Sequence, residues 1–101
     1  MNEAVPLHIP LEELAGFCRR YQVRELALFG SMLRQDYHPD SDVDLLVSFH
    51  PVARVTFLTL ARMQRELEGL LGRQVDLVPK DGLKPIIRAH ILATARVLYA
   101  A

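Results

Sequence analysis

Residues 42–49 read Asp-Val-Asp-Leu-Leu-Val-Ser-Phe. From Val43 onward the run is apolar and partly β-branched, with no Gly or Pro, which predicts a strand over Val43–Phe49. Side chains alternate along a strand, so Val43, Leu45, Val47 and Phe49 form the core face, and Asp42 and Asp44 leave together on the other. Their Cα atoms then stand about 6.5–7 Å apart, near enough for both carboxylates to reach one object. Two converging carboxylates repel, and a divalent cation removes the conflict; hard oxygen donors suit Mg²⁺. A turn-capping role for Asp42, which Asp40 or Ser41 would serve equally, is the plainer alternative.

The flanks extend this strand into a fold. Upstream, Pro10 opens a helical pattern to about Tyr21, with Leu11, Leu14, Phe17 and Cys18 on one stripe. Arg24–Phe29 reads as a short strand closed by Gly30-Ser31, Met32–Arg34 as a helical turn, and residues 35–41 as a loop around Pro39. Downstream, the pattern predicts a helix over Val55–Leu71, its apolar face made by Leu58, Ala61, Met63, Leu67, Leu70 and Leu71, with Gly72 as C-cap. Arg62, Arg65, Glu66 and Glu68 form its solvated face. Gln74–Val78 is a third strand stopped by Pro79, Pro85–Thr94 a last helix, and Val97–Tyr99 a short edge strand. The expected architecture is α/β (α+β): a small mixed sheet with helices packed largely on one face, all within one domain over residues 1–101.

Asp76 is the single charge in its strand, where a buried unpaired carboxylate is costly. If that strand lies beside Val43–Phe49 with faces matched, Asp76 joins Asp42 and Asp44. Three carboxylates on two strands can carry two Mg²⁺ ions, the arrangement for in-line phosphoryl or nucleotidyl transfer. Alone, Asp76 reads equally as an edge-strand charge that discourages aggregation. A calcium loop starting at Asp40 is excluded, because it needs Gly where Leu45 stands and Glu where Pro51 stands. Gly30-Ser31 ends one strand and precedes the acidic pair by ten residues. Gly permits close backbone approach, and the amides and hydroxyl that follow can hold phosphate oxygens. A Gly-Ser pair by itself is only a turn with a cap; its position facing the carboxylates suggests a nucleoside triphosphate site.

Composition narrows the classes. The chain has 101 residues, 50% of them hydrophobic, with 12 basic and 12 acidic residues and a formal net charge of +0, which argues against a free-standing nucleic-acid binder. The lone cysteine, Cys18, reads as a buried structural thiol rather than a nucleophile. No apolar run reaches membrane-spanning length, so the expected location is cytoplasmic with no membrane contact. His8, His38, His50 and His90 lack ligand spacing, although His38 lies in the loop beside the acidic pair. Tyr21, Tyr37 and Tyr99 read as packing residues, with base stacking by Tyr37 the less common alternative. Asp36 and Asp40 read as loop solvation or capping groups.

Gly30-Ser31, ten residues, then Asp42-Val43-Asp44 resembles the signature of the nucleotidyltransferase superfamily that includes DNA polymerase β. The wider frame, LFGSMLR, DSDVDLLV, LLGRQVDLV and VLYAA, resembles the minimal nucleotidyltransferases (MNT proteins) from about Leu11 to the C-terminus. The resemblance implies a polymerase-β-like core in which Asp42, Asp44 and Asp76 are catalytic and hold two Mg²⁺ ions. Asp76 would complete the site that activates the incoming hydroxyl, and Gly30 and Ser31 would hold the β- and γ-phosphates. Arg34, one turn after Ser31, would neutralise triphosphate charge, with a plain surface arginine as the equal reading.

Family members of this size pair with a HEPN-domain ribonuclease toxin, and the MNT protein is the antitoxin. The implied activity is transfer of AMP from ATP to a hydroxyl of that toxin, a tyrosine in some members. Two alternatives stay open: a binding-only antitoxin, and a nucleotidyltransferase acting on a small molecule. The second fits poorly with a chain too short for an acceptor-clamping domain, so the acceptor is expected to help complete the site. The sequence does not fix the preferred base, the number of AMP groups or the homo- or hetero-oligomeric state.

Overall fold

The computed structural model describes residues 9–30 and 42–101. Within them α1 is Leu11–Arg20, β1 Val23–Phe29, β2 Val43–Phe49, α2 Phe57–Leu71, β3 Val75–Pro79, α3 Pro85–Thr94 and β4 Arg96–Ala100. The expected helical turn at Met32–Arg34 lies outside the described residues.

The four strands form one sheet in the order β3-β2-β1-β4. β1 pairs antiparallel with both β2 and β4, and β2 pairs parallel with β3. A parallel pair needs a crossover, and α2 supplies it. The sheet is therefore mixed, as the sequence pattern suggests, and the terminal strand joins β1 at the edge opposite β3.

Helices α1 and α2 pack on the face carrying Leu26, Leu28, Val43, Leu45 and Val47. In α1, Glu12 and Glu13 open the helix and Arg19 and Arg20 close it, so both ends complement the helix dipole. Leu14, Phe17 and Cys18 are buried, whereas Leu11 is 62% exposed, because a first-turn position contacts less of the sheet than mid-helix ones. Burial pushes the Cys18 thiol up to about 12, in keeping with an inert packing role.

Helix α2 starts two residues later than expected. Thr56 is its N-cap, and it exchanges bonds with Thr59: each hydroxyl accepts from the other residue's amide, at 3.2 and 3.3 Å. Met63, Leu67 and Leu71, spaced by four, are buried, with Leu60 and Leu70 half-buried against them. Leu58 and Ala61 do not belong to this face. At 100° per residue they lie about 140° and 160° from Met63 around the helix, and both are exposed. Gly72 closes the helix in the left-handed region at φ 67°, as expected of a C-cap.

The supposed solvated face of α2 is also partly engaged. Glu66 accepts a bond from Arg20 Nη1 at 3.0 Å and another from the Tyr21 hydroxyl, tying α2 to the end of α1. The Tyr21 ring in turn packs on Phe17, with centroids 5.0 Å apart. Glu68 and Gln64 accept from backbone amides of β3, because an edge strand has outward-facing amides that α2 can reach.

Helix α3 differs from the other two. It contributes no buried residue, and Ile86 is 86% exposed. No helix among the described residues is long and apolar enough to cross a membrane.

Candidate active site

The carboxylates gather at one end of the sheet through strand register. In the parallel pair, Asp44 of β2 and Asp76 of β3 are direct partners, so both leave the same face of neighbouring strands, whose spacing is about 4.8 Å. On the other side Asp44 is the antiparallel partner of Phe29, the last residue of β1. Asp42 precedes β2 by one residue and follows the same alternation as Asp44. The face that bears these residues is opposite the one packed by α1 and α2, since Val43 and Leu45 are fully buried between them.

Gly30 follows β1 directly, with φ 77°. Side chains rarely adopt that conformation, and a second constraint adds to it. A Cβ built at Gly30 would overlap Asp44 Oδ2 and stand 3.0 Å from its Cγ. The sequence suggested that this glycine clears space for phosphate; the neighbour it clears space for here is the Asp44 carboxylate.

One expectation for Asp76 is overturned. It is exposed rather than buried, because β3 lies at the edge of the sheet. A desolvation penalty therefore does not explain it. An edge-strand charge needs no particular register, so alignment with Asp44 sets the ligand reading apart from the edge-charge one.

The donor set tests the fit of Mg²⁺. Among the described residues, no three His, Cys, Asp or Glu side chains stand close enough to hold one metal ion, so Asp42, Asp44 and Asp76 share an end of the sheet without converging on a single point. Mg²⁺ is commonly held by one or two carboxylates together with substrate phosphates, so the aligned pair Asp44 and Asp76 is the part of the donor set that fits it. All-oxygen donors on adjacent strands, with a glycine keeping one carboxylate clear, fit an ion that arrives with its nucleotide.

The structure thus brings Gly30, Asp42, Asp44 and Asp76 to one end of the sheet. Ser31 and Arg34, expected to contact phosphates, lie outside the described residues, as do Tyr37 and His38. His50 follows β2 at the end of the strand remote from the carboxylates, and His90 is exposed on α3. A groove of about 540 Å³ also lies at that far end, between Glu25, Ser48, Lys80 and Arg88. Lys80 pairs with Glu25 there at 3.5 Å, and none of the site's carboxylates lines it. Chemistry, not cavity size, marks the candidate site. Sequence reasoning missed Phe29 as a neighbour of Asp44, because that contact depends on strand pairing.

The profile of the nucleotidyltransferase domain family matches residues 11–98, which includes all four of these positions. The chain belongs to this family. This nucleotidyltransferase-family chain is 42% identical over 73 residues to protein adenylyltransferase MntA of Thermococcus cleftensis, covering 72% of each chain. Its fold is similar to a structure solved as a candidate minimal nucleotidyltransferase, with TM-score 0.70, 40% identity, and 84% and 85% of the two chains covered. It is also similar to a chain in the complex of tri-AMPylated Shewanella oneidensis HEPN toxin with MNT antitoxin. There the TM-score is 0.64 at 16% identity, covering 90% of this chain and 70% of that one, a likeness of fold.

Proposed function

We propose that this protein is an Mg²⁺-dependent protein adenylyltransferase that transfers AMP from ATP to a hydroxyl of a HEPN-domain toxin and so acts as its antitoxin. The observation that carries this reading is the register of Asp44 with Asp76, beside a glycine whose missing side chain makes room for Asp44. Its supports are the 42% identity to a protein adenylyltransferase and the likeness in fold to an antitoxin complexed with an AMPylated toxin.

The acceptor oxygen attacks the α-phosphorus of ATP and forms the new phosphoester bond. The bond from that phosphorus to the α–β bridging oxygen breaks, and pyrophosphate leaves. Asp76, exposed at the sheet edge, is reached from solvent or by a docked partner, and it takes the hydroxyl proton. Asp42 and Asp44 orient the triphosphate end of the nucleotide from the start of β2. Gly30 and Ser31 hold the β- and γ-phosphates, and Arg34 adds positive charge to them. Asp42, Asp44 and Asp76 would hold Mg²⁺ together with the nucleotide's phosphates, and the ion would supply charge neutralisation at the reacting phosphate. The exposure of Asp76 leaves the acceptor protein to exclude water there when it docks.

The test is the intact mass of the HEPN-domain partner co-expressed with this chain or with its Asp42→Asn/Asp44→Asn variant. The expected outcome is a gain of whole AMP units with the unmodified site alone. An unmodified partner mass, together with a stable complex and rescued growth in both cases, would replace transfer with inhibition by binding.

A further inference from the structure

The two backbone amides that flank Asp76 are held from outside the sheet. The Val75 amide donates to Glu68 Oε2 at 3.1 Å, and the Leu77 amide donates to Gln64 Oε1 at 3.3 Å. Both acceptors stand on α2 four residues apart, and the helix runs antiparallel to β3 beside its open edge. The spacings match: four helical residues rise about 6 Å, and two strand residues about 6.6 Å. Packing of α2 does not require this pair, since Met63, Leu67 and Leu71 bury its apolar side. Shielding an edge from other chains would be met by any charge along it. The actual bonds fall on the residues either side of the one charged residue in β3.

We propose that Gln64 and Glu68 are positioning residues for the transfer reaction. By fixing the main chain on both sides of Asp76, they hold its carboxylate in register with Asp44. The inference rests on Asp76 serving in the transfer, as read above. Neither side chain contacts nucleotide; both act through Asp76. Groups that orient metal-binding side chains from the next layer out commonly matter by about 10- to 100-fold in metal affinity or activity.

The experiment compares Gln64→Leu/Glu68→Leu, which removes both acceptors, with Gln64→Glu/Glu68→Gln, which keeps an acceptor oxygen at each place. Asp76→Asn is the control. Amide hydrogen exchange of the metal-free chain, Mn²⁺ affinity, and kcat and KM for AMP transfer from ATP to the HEPN-domain protein are measured on each. For the leucine pair, the expected result is exchange at Val75 and Leu77 about tenfold faster, with Leu26 and Leu28 unchanged. Its Mn²⁺ affinity or kcat should fall by about 10- to 100-fold while KM for ATP holds, and the acceptor-keeping pair should restore both.

Wild-type exchange, Mn²⁺ affinity and kcat in the leucine pair, with Asp76→Asn inactive, would overturn the positioning role and leave the site reading intact. Failure of the acceptor-keeping pair to restore transfer would overturn it as well. Full activity of Asp76→Asn would instead overturn the site reading on which it rests. If the leucine pair does not melt cooperatively, Gln64→Leu alone is judged by the same three measurements, with Leu77 the amide read.

Discussion

Replacing Gly30 with alanine strains the chain twice: through its left-handed backbone, and through the overlap of the new Cβ with the Asp44 carboxylate. A side chain in the left-handed region costs about 1–2 kcal/mol. The overlap adds displacement of a residue proposed to hold nucleotide and metal. Gly30→Ala is therefore expected to melt measurably lower and to lose AMP transfer by at least about tenfold, beyond what lost folding explains. Thermal melting and transfer rate on the same preparation check this. The spacing of Gly30, Asp42 and Asp44 is legible in the linear sequence because their two strands follow one another along the chain. The contact between Gly30 and Asp44 is not, nor is the exposure of Asp76. Both follow from which strand lies next to which, and that is set by residues far apart in the chain.

At the scale of elements, the period of α2 separates residues that bear the core from those that merely look as if they do. Leu67 is fully buried, whereas Leu58 is 78% exposed on the other side of the same helix. Leu67→Ala is expected to destabilise the fold by about 2–5 kcal/mol. Leu58→Ala should change it by about 0.5 kcal/mol or less. Urea denaturation of both variants measures the contrast. The strand at Val43–Phe49 and the helix Pro85–Thr94 stand where the sequence pattern puts them, because alternation in one and a first-turn proline in the other are local signals. α2 begins two residues beyond the start the sequence pattern suggests, since a Thr56–Thr59 capping pair lacks the acidic or amide partner that usually reveals such a box. The bonds from Gln64 and Glu68 to β3 were invisible for a different reason: on a helix alone, those side chains look solvated.

For the whole molecule, the sheet order β3-β2-β1-β4 was the least legible feature, because it depends on long-range pairing rather than local pattern. Global stability carries its own signal in pH. The unperturbed thiol titrates near 9.0, whereas burial pushes Cys18 up to about 12 in the fold. A raised acid value means that the folded state keeps a proton the unfolded chain releases. Its contribution is fully present below pH 9.0 and is lost as pH rises from there toward about 12. Chemical denaturation at pH 8 and 10.5 is expected to show a steeper loss for wild type than for Cys18→Ala. The difference isolates this thiol from Tyr21, whose hydroxyl is also shifted upward, first by burial and then by its bond to Glu66.

The pairing of Asp44 with Asp76 also sets a time at which the chain becomes competent. β1 and β2 are neighbours in sequence and in space, but β3 reaches β2 only after the whole of α2 has been made and folded back across the sheet. Closing so long a loop is slower than forming a helix or a hairpin. A nascent chain halfway off the ribosome already holds Gly30, Asp42 and Asp44, yet it has no third carboxylate to set beside them. Helical structure should therefore appear before nucleotide chemistry during synthesis or refolding, and a half-made chain would be chemically silent.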